Sequence, residues 1–198
     1  MSGEGTSAAN KEGEPAYSFQ PSPLGAATSF RLGPGGIEWA RGGQSGHVPY
    51  RNVRYLRMSY KPASMQSHRF VTEVWSDGAP RLQIFSTSWR GMVELQRLDV
   101  PYAAFISELH RRVARDSANV RYEQGINRFV YWPGLALFVA MGLMLAALVV
   151  RSLQAHTLGA TAFIAVLMAL FLWQGGNYFR RNRPGYYRPD ALPAELMP

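Results

Sequence analysis

The 198-residue chain contains no cysteine. That absence excludes disulfides, thiolate metal sites and thiol nucleophiles. Lysine is nearly missing as well: Lys11 and Lys61 stand against nineteen arginines in a chain of formal net charge +8. Histidine is sparse, and His47, His68, His110 and His156 show neither a helical ligand spacing nor a neighbouring Ser or Asp pattern. His47, His68 and His110 are expected at surfaces or interfaces, and no metal is assigned. Gly33-Pro34-Gly35-Gly36 lacks the lysine and following helix of a phosphate-binding loop. No catalytic residue and no cofactor is assigned, so the chain reads as a non-enzyme. The N-terminus also lacks the basic start and apolar run of a secretory signal. Residues 1–26, rich in Gly, Ser, Ala, Glu and Pro, are expected to form a disordered tail.

What the chain does have is two long uncharged runs. No formal charge occurs from Phe129 to Val150, and the next stretch, Ser152 to Phe179, is uncharged while His156 is neutral. About 20 apolar residues cross a hydrocarbon core of roughly 30 Å. The expectation is a hairpin of transmembrane helices at 129–150 and 157–178, joined by a short external connector at 151–156. Phe129, Tyr131 and Trp132 at the start of the first run and Trp173, Tyr178 and Phe179 at the end of the second, on the same side of the hairpin, suit the headgroup layer. Nine arginines lie shortly before the first run or after the second, and only Arg151 adjoins the connector. That bias places both termini in the cytoplasm of a bacterial inner (plasma) membrane. Neither run holds an interior charge, so the spans read as an anchor rather than an ion path. Small residues recur at four-residue spacing (Ala136 and Ala140, Gly142 and Ala146, Thr161, Ala165 and Ala169). Such faces allow close packing within the hairpin, in a homo-oligomer, or against a protein partner.

Between Thr28 and Arg97 the pattern changes to short alternating segments cut by turns. Phe30 and Leu32 lead into the first glycine cluster, Ile37 and Trp39 into Gly42–Gly46, and Leu56, Met58 and Tyr60 alternate with Arg57, Ser59 and Lys61. Ser76-Asp77-Gly78 marks a hairpin between Phe70–Trp75 and Arg81–Ser86. After Pro101 the period becomes helical, with Tyr102, Phe105, Ile106, Leu109 and Val113 on one face. The fold class is therefore α+β: a small antiparallel β-barrel or sandwich over residues 27–116, capped by one amphipathic helix. A juxtamembrane linker at 117–128 and a cytoplasmic tail at 179–198 complete the chain. Two tyrosines and three large aliphatic residues give that tail some apolar purchase.

Phe30-Arg-Leu32 with Gly36-Ile-Glu-Trp39, then Val48-Pro-Tyr50-Arg-Asn-Val53, then Phe105-Ile-Ser-Glu-Leu109, resembles the bacterial pleckstrin-homology-like (PH-like) domains of small inner-membrane proteins with two transmembrane helices. The resemblance implies a barrel closed by its last helix. It also directs attention to basic residues on an early strand pair, here Arg51, Arg54, Arg57, Lys61 and Arg69. Residues 27–116 hold thirteen basic and seven acidic side chains. The expected partners are the lipid bilayer, anionic headgroups in particular, and a protein partner; nucleic acid is not expected beside a membrane anchor. The sequence thus reads as a membrane-anchored binding or scaffolding module, with an accessory subunit of a transporter or envelope complex as the alternative.

Overall fold

The computed structural model describes residues 13–61, 68–91 and 94–198. The chain divides into two units: the first runs to Glu123 and resumes over Tyr186–Pro198, and the second is Gln124–Gly185.

In the first unit, alternation and glycine build an antiparallel meander from β1 (Ala16–Phe19), β2 (Thr28–Leu32), β3 (Gly36–Arg41) and β4 (Gln44–Pro49), in that spatial order. Tyr17, Phe19, Phe30, Leu32, Ile37 and Val48 are buried on its inner face. The turn between β3 and β4 has only two residues, Gly42 and Gly43, at φ of +54° and +81°. A hairpin turn with both central residues left-handed is the case where glycine is needed.

A second sheet takes the order β11-β10-β5-β6-β7, from β5 (Val53–Tyr60), β6 (Phe70–Ser76), β7 (Leu82–Phe85), β10 (Arg121–Gln124) and β11 (Gly185–Tyr186). β8 (Thr87–Arg90) and β9 (Glu94–Arg97) pair separately. The Tyr17 hydroxyl donates to the Phe85 carbonyl at 2.6 Å, and the Trp89 N–H donates to the Gln20 carbonyl at 3.0 Å, tying β1 to the β7–β8 corner.

Helix α1 (Asp99–Asp116) covers the core with the predicted stripe: Tyr102, Phe105, Ile106, Leu109 and Val113 are all buried. At about 1.5–3 kcal/mol each, these five side chains contribute on the order of 10 kcal/mol before conformational entropy. The Tyr102 hydroxyl meets Thr72 Oγ1 at 2.7 Å, which satisfies both groups inside the core.

Several sequence boundaries move. The expected tail at 1–26 is in part sheet, because β1 delivers Tyr17 and Phe19 to the core and pairs with β2; residues 1–12 lie outside the described residues. The expected linker at 117–128 contains β10, an integral strand. His110, expected at a surface or interface, is fully buried, since it follows Ile106 by one helical turn on the covered face. The segment after the hairpin packs back on the domain, with Leu196 buried and a 3-10 turn (Ala194–Leu196) against β5.

The second unit is a helical hairpin of α2 (Arg128–Gln154) and α3 (Leu158–Arg181), both long and apolar enough to cross a membrane. Their 27 and 24 residues extend about 40 and 36 Å. Asn127 caps α2 by accepting the Phe129 N–H at 3.0 Å. Phe138 packs at a tilt against Phe171 and Phe179 at 4.7 and 5.2 Å, and Gly175 leaves room for its ring. The small-residue stripe divides. Gly142, Ala146, Thr161 and Ala165 are partly buried within the hairpin, whereas Ala136, Ala140 and Ala169 are exposed.

Candidate functional site

Register places Arg57, Lys61 and Arg69 on the face of the second sheet opposite α1. Arg57 is the cross-strand partner of Glu73, and the Lys61 N–H donates to the Arg69 carbonyl at 2.9 Å. Arg51 lies in the 3-10 turn before β5, and Arg54 sits at the bulge between Val53 and Tyr55; both are exposed. Three of the five predicted residues therefore share a face, and two stand at its end.

Most cations of that face are paired with acids. Glu73 is buried, and its Oε1 accepts from Gln83 Nε2 at 2.9 Å and faces Lys61 Nζ at 3.4 Å and an Arg81 nitrogen at 3.9 Å. Arg57 gives both Nε and Nη2 to one oxygen of Glu123, at 3.2 and 2.6 Å, which fastens β10 to β5. Between these ion pairs, Tyr55 and Trp75 stack at 5.1 Å. Arg57 lies 5.4 Å over the Tyr55 ring and Arg81 5.3 Å over the Trp75 ring. Each such contact contributes about 0.5–1 kcal/mol, and together they form a rigid ladder.

Arg69 stands at the far edge of the same ladder. Its Nε donates to Thr87 Oγ1 at 2.9 Å and its guanidinium lies 5.2 Å over Phe85, with burial pulling its pKa down. Arg54 pairs with Asp77 across solvent and holds that carboxyl below its ordinary range. Arg51 has no ion-pair partner among the described residues. An anion approaching this surface meets Arg51 and the Asp77-paired Arg54 first; Arg57, Lys61 and Arg69 are more enclosed and also engaged.

The sequence did not reveal Glu73, Glu123 and Arg81, which complete these pairings. The only signal was the alternation Arg121-Tyr122-Glu123 inside the supposed linker. Nor did the sequence reveal the polar seal over α1. His110 Nδ1 lies 2.7 Å from the Ile106 carbonyl and so donates to it, leaving Nε2 to accept from the Tyr187 hydroxyl at 2.7 Å. Burial pulls the His110 pKa from 6.5 down to about 4. Tyr122 and Tyr187 complete the ring cluster at 5.7 Å, and the Tyr187 N–H donates to the Tyr122 carbonyl at 3.1 Å. This histidine is a satisfied core group. Among the described residues no three His, Asp or Glu side chains converge as a metal site.

No family model, curated protein or solved structure matches this chain.

Proposed function

We propose that this chain is a membrane-anchored, non-catalytic binding or scaffolding module. The observation that carries the reading is the surface of α2 and α3. Leu137, Leu143, Phe163 and Trp173 are 64–75% exposed, on helices long enough to span. Water does not solvate such flanks without cost, whereas lipid does, and a soluble helix would carry a polar stripe. The arginine bias supports cytoplasmic termini in a bacterial inner membrane. The PH-like reading of the domain is supported by element order: a four-strand meander, a three-strand meander, a two-strand hairpin, then a helix over the core.

The domain's role is then to present a basic surface at an anionic leaflet or to a protein held there. Arg51 is the contact point, with the Asp77-paired Arg54 beside it, at about 1 kcal/mol per unpaired basic residue near the surface. Hydrogen–deuterium exchange of the whole chain in nanodiscs, with and without anionic lipid, tests this. Peptides spanning residues 50–57 are expected to slow with anionic lipid and to recover in about 1 M salt, where the Debye length is about 3 Å. Exchange that ignores lipid charge would remove the leaflet from the proposal.

A further inference from the structure

One cross-strand row of the first sheet breaks the apolar rule of its inner face. Phe19 pairs with Thr28, Thr28 with Arg41, and Arg41 with Gln44, so all four share a face. Phe19 and Thr28 are buried there, and the adjoining row supplies Phe30 and Trp39. Leu82 and Phe85 of β7, with the preceding Arg81, form the opposite wall of a pocket of about 210 Å³. Phe19 and Phe85 meet edge to face at 5.4 Å on its floor.

Charge distinguishes this pocket. Its lining holds two arginines and no carboxylate, whereas the other two cavities described are lined by Glu38, or by Glu14 and Glu108. Arg81 is shared with Glu73 and the Trp75 ring. Arg41 has no hydrogen-bond or ion-pair partner among the described residues; it stands exposed at the end of the row that lines the pocket. The volume is below the range of drug-sized ligand sites, so it suits a single ring or a short acyl chain.

We propose that this pocket binds a small organic anion: an aromatic or short aliphatic carboxylate whose apolar body lies among Phe19, Phe30, Trp39 and Phe85, with its carboxylate against Arg41. Aromatic walls take up the body, and the exposed Arg41 guanidinium at the rim forms the charge-assisted bond that selects the acid. The inference concerns a different surface from the one offered to the leaflet and stands independently of it.

The test uses the full chain in nanodiscs of zwitterionic lipid and a photoactivatable benzoate, 4-(trifluoromethyldiazirinyl)benzoate, with sites mapped by peptide mass spectrometry. Saturable labelling of peptides spanning 39–44 or 81–85 is expected, with half-saturation at or below about 1 mM and competition by benzoate. Arg41→Gln is expected to lower labelling about tenfold, and the exposed Arg90→Gln to leave it unchanged. Arg41 is itself exposed, so its replacement spares the core. Equal labelling by the neutral benzamide analogue, indifference to Arg41→Gln, or labelling confined to α2 and α3 would overturn the proposal.

Discussion

Buried on α1 between the Ile106 carbonyl and the Tyr187 hydroxyl, His110 stays neutral well below the pH at which an exposed histidine charges. The unfolded chain takes up this proton near pH 6.5 and the folded one only near pH 4. Between those values the unfolded state binds more protons. The contribution is therefore fully present above pH 6.5 and is lost progressively as pH falls towards 4, reaching on the order of 3 kcal/mol. Denaturant unfolding in detergent across that window should show the fall, and His110→Gln should flatten it; an equal slope in the variant would assign the fall to other groups. Tyr187→Phe removes the donor to Nε2 and should destabilise the domain by about 1–3 kcal/mol in the same assay. An unchanged midpoint would mean the tail is not seated on the domain. Neither role was legible beforehand, because the two residues stand 77 positions apart and only the fold brings them to 2.7 Å. The basic residues of β5 were legible as basic. Their engagement was not, since Glu73 and Glu123 are placed beside them by register and by a strand that reads as linker.

At the level of elements, β1 carries the sharpest departure from sequence expectation. Four residues between Pro15 and Gln20 offer only Tyr17 and Phe19 as apolar signal, too short a run to stand out among Gly, Ser and Glu. Pairing with β2 rather than local propensity makes the strand. Phe19→Ala should therefore destabilise the domain by about 3–5 kcal/mol, and a chain starting at residue 27 should fail to fold. Wild-type thermal stability in either would return residues 13–26 to the status of a tail. Helix α1 and strands β2, β3, β5 and β6, by contrast, follow from period and glycine, and β7 from the Ser76–Gly78 turn before it, whereas β4 begins inside Gly42–Gly46, which reads as a turn. In the second unit, Gly125 adopts φ of +75°, and a Cβ there would run into the carbonyl oxygens of Asn182 and Arg183. Gly125→Ala should destabilise the base of the hairpin by at least about 1–3 kcal/mol, read as a lower unfolding temperature in detergent. An unshifted temperature would mean that the two segments do not meet there.

On the scale of the whole molecule, the first unit is assembled from sequence on both sides of the hairpin: Tyr122 precedes α2, Tyr187 follows α3, and they are hydrogen-bonded neighbours. Continuous fragments such as residues 27–116 therefore lack β1, β10 and the tail, and binding should be measured on the full chain. The same closure requires an even number of crossings if the helices span, with residues before and after them on one side. The natural absence of cysteine makes that accessible to single-cysteine labelling. Ala155→Cys in the connector, Ser107→Cys on α1 and Asp190→Cys in the tail would be treated in intact cells with a membrane-impermeant maleimide. The account predicts labelling at 155 without permeabilisation, and at 107 and 190 only after it. Labelling of all three alike, or of 107 and 190 on opposite sides, would contradict a spanning hairpin with a cytoplasmic domain.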